Sequence, residues 1–189
     1  MFHEFGHAFM ALFTSGRINK IYLFSNNSGM AVTSTKNWLS RVLVALAGYP
    51  FEVIIAFCLV HLYAHEAYTS ILYLFIGVSV FTFIFIRNLY GFLWLGIFIA
   101  VNIWVTMQGN YMLTKYYLLL IVLSVLIEMI ISNINILIIS VRTPKNESDA
   151  SALARLTKIP ASIWGCAFVG FAIYAVYQLK DYIVILFSN

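Results

Sequence analysis

The stretch Met1-Phe2-His3-Glu4-Phe5-Gly6-His7 places two histidines four residues apart, with a glutamate directly after the first. Apolar residues 8–13 follow, and together they predict a helix. Residues four apart on a helix share one face, so His3 and His7 can bind one zinc ion. Glu4 can then act as the general base for an attacking water. The stretch therefore indicates a catalytic metal site, with a chance pair of interfacial histidines as the alternative.

The composition of the chain is that of an integral membrane protein. Of its 189 residues, 62% are hydrophobic and 10% are charged, whereas a soluble domain carries about 25% charged residues. The net charge is +4, but the basic residues are spread over loops, so no nucleic-acid partner is expected. Ionisable groups inside a bilayer are costly and usually functional, which strengthens the interpretation of the histidines as a site.

Apolar stretches of spanning length recur along the chain. We predict an all-α polytopic membrane protein with about six transmembrane segments in one membrane-embedded domain, 1–189. The first segment, 1–14, is too short to span a bilayer, and we expect it to be truncated at its N-terminus. The other predicted spans are 38–63, 69–86, 89–107, 116–140 and 163–179, and 108–115 is predicted to be a polar loop.

A β-hairpin is predicted directly after the first helix. The β-prone stretches 18–24 and 30–35 flank the turn signal 25–29. An exposed edge of such a hairpin can accept an extended peptide by strand addition. A simple connector is the alternative interpretation.

The basic residues of the loops predict an orientation. The 17–41 loop and the 142–158 segment carry four Lys or Arg residues each, and the loop at 87 carries one, whereas the intervening loops carry none and one. By the positive-inside rule, the hairpin and the short helix predicted over 149–158 face the cytoplasm. A second histidine pair, His61 and His65, falls on the opposite face and is interpreted as ordinary interfacial residues.

Several blocks of the sequence carry a family resemblance. They are His3-Glu4-Phe5-Gly6-His7-Ala8, Ala47-Gly48-Tyr49-Pro50, Arg87-Asn88, Ser148-Asp149-Ala150, Ile159-Pro160-Ala161 and Trp164. The chain resembles site-2-protease-type integral membrane zinc metallopeptidases, and most of all a small bacterial peptidase branch of that family. The resemblance implies intramembrane proteolysis of a membrane protein or peptide substrate within the lipid bilayer. It also implies a bacterial cytoplasmic membrane, and the basic loops predict that the active site lies towards the cytoplasm.

The resemblance also implies the site residues. Zn²⁺ would be held by His3, His7 and Asp149, with Glu4 as the catalytic base. Judged from the residues alone, Asp149 is equally well explained as an acid in the first turn of a helix, and Glu52 and Glu128 are competing intramembrane carboxylates. Asn88 is a candidate for oxyanion stabilisation or substrate positioning, or else an ordinary helix cap.

Two other classes of function are compatible with the sequence. A non-proteolytic membrane binding or scaffold protein could retain the same fold, although the intact Glu4 argues against it. A metal transporter would need polar residues along a path across the membrane, and the predicted spans supply few.

Overall fold

The structure, a computed structural model, describes residues 1–26, 28–144 and 146–188. Its elements follow one another as α1 (Phe2–Phe13), β1 (Arg17–Leu23), β2 (Gly29–Ser34), α2 (Trp38–Ala64), α3 (Tyr68–Phe85), α4 (Leu89–Gln108), α5 (Tyr111–Arg142), α6 (Asp149–Thr157), α7 (Ala161–Gln178) and α8 (Lys180–Ser188). Among the described residues, α2, α3, α4, α5 and α7 are long and apolar enough to cross a membrane. The all-α polytopic architecture is confirmed, with α1 as a shorter helix that precedes the hairpin.

The main apolar core lies between the middle helices of the bundle. Leu59 of α2, Ile71 and Phe75 of α3, and Leu118 and Met129 of α5 are fully buried there. Other apolar side chains of these helices, among them Tyr73, Ile84, Leu120 and Ile127, are exposed, as expected for a surface solvated by lipid. The core therefore fixes α2 at the centre of the bundle, where it can support α1.

Two glycines bring α1 and α2 into close contact. A Cβ at Gly6 would lie 2.7 Å from the Cβ of Phe51, and one at Gly48 would lie 2.5 Å from His3 Cε1. Small residues at such crossings allow helix backbones to approach closely. The histidine-bearing face of α1 is consequently pressed against α2.

The predicted hairpin is present as an antiparallel pair of strands. Arg17 of β1 pairs with Ser34 of β2, and Leu23 pairs with Gly29, with a bulge between Ile18 and Lys20. The outer edge of β1 is covered by the connection between α3 and α4, where the Arg87 amide donates to the Ile21 carbonyl at 3.0 Å. The hairpin is thereby tied to the end of the bundle next to α1.

Helix α6 lies at the same end of the bundle, where it is capped at its N-terminus and bonded to two tryptophans near its C-terminus. The Ser148 hydroxyl accepts a hydrogen bond from the Ser151 amide at 3.2 Å, which caps the helix at its N-terminus. At the other end of α6, Trp38 Nε1 donates to the Leu156 carbonyl and Trp164 Nε1 donates to Thr157 Oγ1. Because Trp38 belongs to α2 and Trp164 to α7, these contacts hold α6 against both helices.

One predicted loop was wrong in its extent. The loop predicted over 108–115 is reduced to Gly109 and Asn110, because the Asn110 side chain accepts a hydrogen bond from the Leu113 amide and starts α5 at Tyr111. Gly109 adopts the left-handed conformation, at φ +59°, that reverses the chain there. After the last predicted span, 163–179, residues Lys180–Ser188 form the further helix α8.

Candidate metal centre

The two histidines of α1 face each other across one turn of the helix. Their Nε2 atoms are 3.1 Å apart, and the centroids of their rings are 4.7 Å apart. The other ring nitrogen of His7, Nδ1, lies 2.7 Å from the Val44 carbonyl oxygen of α2. With the proton on Nδ1 donated to Val44, the lone pair of His7 Nε2 is free for a metal.

Asp149, the first residue of α6, completes the cluster. Its Oδ2 atom lies 3.0 Å from His3 Nε2 and 3.2 Å from His7 Nε2. Burial raises the pKa of this carboxyl, but His7 and His3 outweigh that effect and hold the pKa below its usual range. The carboxylate is therefore ionised, which is the form that binds metals.

The donor set fits a zinc ion. His3, His7 and Asp149 each offer one ligand atom, and these atoms lie within 4.8 Å of one another. Ligands about 2 Å from a tetrahedral zinc ion are about 3.3 Å apart. The spacings of 3.0, 3.1 and 3.2 Å in the cluster are close to that value. Two imidazoles and one carboxylate also leave a fourth position open, as catalytic zinc sites do.

Residues 48 and 49 of α2 form the wall behind the histidines. A Cβ at Gly48 would lie 2.5 Å from both His3 Cε1 and His7 Nε2, so only glycine leaves room for the two rings. The Tyr49 ring packs edge-on against His3, with 4.5 Å between the ring centroids. The sequence carried no signal that the neighbours of Gly48 would be the two histidines.

Glu4 is buried on α1 and lies against the start of β2. It is 7% exposed, and a Cβ at Gly29 would approach its Oε1 to 2.9 Å. The glycine that ends the hairpin turn therefore gives the Glu4 carboxylate its space. Glu4 is not among the three residues whose ligand atoms cluster, which are His3, His7 and Asp149.

Glu52 does not join the cluster of metal-binding atoms. Its Oε2 atom lies 4.0 Å from Nδ1 of His3, whereas Asp149 contacts Nε2 of the same ring. Ser132 Oγ donates a hydrogen bond of 2.8 Å to Glu52 Oε2. Of the three carboxylates considered as the third ligand, Asp149 lies with Nε2 of both histidines, and Glu52 lies on the Nδ1 side of His3.

Asn88 lies at the hairpin, where its side chain is engaged by the backbone of β1. Its Nδ2 donates to the Leu23 carbonyl at 2.5 Å, and its Oδ1 accepts from the Leu23 amide at 3.2 Å. Asn88 occupies the N-cap position of α4 without making a capping hydrogen bond. The Asn88 side chain therefore bonds the outer edge of β1 in the way that a neighbouring strand would.

Glu128 and the second histidine pair lie away from the cluster. Glu128 lines a cavity of about 340 Å³ together with Glu52, Phe2 and residues of β1, α3, α4 and α5. His61 and His65 pack on each other near the end of α2, with ring centroids 4.5 Å apart. From Gly48 to His61 the helix rises by about 20 Å, so these histidines are remote from the candidate metal centre.

The fold and the site together define a class of protein: a polytopic membrane protein with a His₂Asp cluster beside a buried glutamate. The model of the Peptidase M50B-like family matches residues 1–179, and the chain belongs to this family. No curated protein and no solved structure matches the chain. Membership of a peptidase family agrees with the site-2-protease-type resemblance seen in the sequence.

Proposed function

We propose that the protein is a membrane-embedded zinc metallopeptidase that hydrolyses peptide bonds of membrane or membrane-proximal substrates. The observation that carries this proposal is the convergence of His3 Nε2, His7 Nε2 and Asp149 Oδ2 at 3.0–3.2 Å. It occurs in a chain of a peptidase family, at one end of an apolar helix bundle.

His3, His7 and Asp149 would hold the zinc ion. When bound, zinc polarises a carbonyl oxygen and lowers the pKa of a coordinated water to about 7. Val44 holds the His7 ring in the tautomer that presents Nε2 to the metal. Gly48 and Tyr49 confine the His3 ring, so the ligands are set before the metal arrives.

Glu4 is the proposed general base. Its carboxylate accepts the proton of the attacking water and then donates it to the amine that leaves. It follows His3 directly on α1, so it stays beside the ligands without being one of them. Its buried position against Gly29 limits access of bulk water to this proton transfer.

The substrate is proposed to be held as an extended strand along β2. A helix hides its carbonyls in its own hydrogen bonds, so a cleavable segment must be unwound. The outer edge of β1 is occupied by Arg87 and Asn88, whereas no hydrogen bond between the outer edge of β2 and another described element is present. Because β2 starts at Gly29 beside Glu4, a strand added there runs past the base.

Asn88 is proposed to serve substrate positioning through the hairpin. Both polar atoms of its side chain are bonded to Leu23, which leaves neither directed at an oxyanion. By pairing with β1, Asn88 fixes the hairpin and hence the β2 edge relative to α1. We propose further that the hairpin and Asp149 face the cytoplasm of a bacterial cell, in line with the basic loops on that side.

A cleavage assay in lipid vesicles tests the proposal. The protein is reconstituted with a panel of fluorescent single-span peptides, stripped with a membrane-permeant chelator and then given zinc. Cleavage that is lost with the chelator and restored by zinc supports the peptidase. A protein that binds peptides of the panel equally well with and without metal, and cleaves none, would instead be the non-proteolytic scaffold.

A further inference from the structure

Glu52 is a buried carboxylate that the proposed reaction does not use. It lies in the middle of α2, a membrane-spanning helix, and is 7% exposed. An ionisable side chain in such surroundings is costly, so it is expected to have a partner and a role. Its partners are a hydroxyl of α5 and an imidazole of the candidate metal centre.

The hydroxyl is that of Ser132. Ser132 Oγ donates to Glu52 Oε2 at 2.8 Å and also lies 3.1 Å from the Met129 carbonyl of its own helix. This hydrogen bond holds the carboxylate on the side of α2 that faces α1. The same oxygen, Oε2, lies 4.0 Å from His3 Nδ1, an ion-pair separation about 1 Å longer than a direct hydrogen bond.

The two histidines are thus supported in parallel ways from α2. Nδ1 of His7 is paired with the Val44 carbonyl, and Nδ1 of His3 faces the Glu52 carboxylate. Metal-binding histidines usually direct their second ring nitrogen to a carbonyl or a carboxylate, which fixes the ring and makes it a stronger ligand. For His3, Glu52 is the group placed to do this.

We propose that Glu52 is a positioning residue for the metal centre, held by Ser132 and orienting the His3 imidazole from its Nδ1 side. The inference rests on the metal-binding part of the proposed function and not on proteolysis. Asp149 occupies the Nε2 side of the same ring, so the two carboxylates have separate tasks. Glu128 lines the same cavity as Glu52, is exposed, and makes no contact with His3 among the described residues. Glu128→Gln therefore controls for the loss of a nearby carboxylate charge alone.

The test measures zinc affinity and the metal spectrum on the purified full chain. Zinc affinity is determined by competition with a chromophoric chelator, and the visible spectrum is recorded after loading with cobalt. Glu52→Gln should weaken zinc binding about tenfold or more and shift the cobalt spectrum. Ser132→Ala should weaken zinc binding about threefold, the loss expected from one hydrogen bond. Glu128→Gln should match the unaltered protein in both measurements.

A double variant shows whether Ser132 acts through Glu52. If it does, Glu52→Gln combined with Ser132→Ala should bind zinc no more weakly than Glu52→Gln alone. Unchanged affinity and spectrum in Glu52→Gln, or an equal loss in Glu128→Gln, would overturn the proposal. Should Glu52→Gln not fold, Ser132→Ala decides alone, and full affinity in that variant overturns it.

These outcomes separate the positioning role from the proposed peptidase. An unaltered protein that binds zinc but cleaves no peptide would refute the peptidase and leave the Glu52 result standing. An unaltered protein that binds no zinc would overturn both. Loss of zinc in His7→Ala with no effect in Glu52→Gln would refute the positioning role alone.

Discussion

His7 and Asp149 are 142 residues apart in the sequence, yet His7 Nε2 is 3.2 Å from Asp149 Oδ2. The contact joins α1, the first helix, to the first residue of α6. It depends on α6 packing against α2, and the indole N–H groups of Trp38 and Trp164 donate hydrogen bonds to the last turn of α6. The candidate metal centre is therefore complete only when α1 and α6 have both packed on α2.

Removing any one of the three ligands should abolish stoichiometric zinc binding. We expect about one zinc per chain, and His3→Ala, His7→Ala and Asp149→Ala should each leave fewer than three ligands for the ion. Elemental analysis of the purified variants measures the metal content. His61→Ala is the control, since His61 belongs to the remote pair near the end of α2 and should keep its zinc. Full zinc content in Asp149→Ala would show that another group is the third ligand.

Gly48 should be indispensable for the metal centre although it binds nothing. In Gly48→Ala the new methyl would lie 2.5 Å from both His3 Cε1 and His7 Nε2, so the rings must move. Zinc affinity should fall about tenfold or more. Gly170→Ala is the matched control, because a Cβ at that position of α7 meets nothing within 4 Å. Competition with a chelator measures both variants, and equal affinities would contradict the packing described here.

Much of this arrangement could be predicted from the sequence because it depends on local periodicity. Spacing alone put His3 and His7 on one face of a helix, and hydropathy located the spans. The predicted start of α5 was wrong because residues 108–115 were interpreted as one polar loop. Asn110 within this stretch caps a helix by accepting a hydrogen bond from the Leu113 amide, three residues later. The prediction that Asp149 is a metal ligand came from the family resemblance, because the residues around Asp149 in the sequence do not indicate one.

The supporting contacts could not be predicted, since each joins distant parts of the chain or involves backbone. Val44 contributes a helix carbonyl, which every residue carries and no sequence pattern marks. The bond from Ser132 to Glu52 and the pairing of Asn88 with Leu23 connect elements whose relative placement only the folded bundle defines.

Loss of the Asn88 side chain should weaken substrate binding and leave the zinc content unchanged. In Asn88→Ala the Leu23 backbone loses two hydrogen bonds, so the hairpin should be less well placed. We expect KM for a cleaved peptide to rise about tenfold with zinc content unchanged, the loss expected from about two hydrogen bonds. Asn110→Ala, at the start of α5, is the control. A fall in kcat with constant KM would point instead to a direct role in oxyanion stabilisation.

The two ends of the bundle should differ in access from outside the cell. The hairpin turn at Asn26 lies at the end of the bundle that carries the basic loops, and α4 carries the chain about 30 Å from there to Gln108. After Cys58 and Cys166 are replaced by serine, single cysteines are introduced as Asn26→Cys and Gln108→Cys. A maleimide that cannot cross membranes should label intact cells at position 108 and leave position 26 unlabelled. The reverse pattern would place the candidate metal centre on the outer side.

The measurement that tests the central claim most directly combines zinc content and peptide cleavage in Glu4→Gln. Glu4 is buried beside the ligands and is proposed to move a proton without binding the metal. The variant should keep about one zinc per chain and lose cleavage by a factor of about a hundred or more. Cleavage at the rate of the unaltered protein, with zinc still bound, would contradict the proposal that this chain is a metallopeptidase with Glu4 as its base.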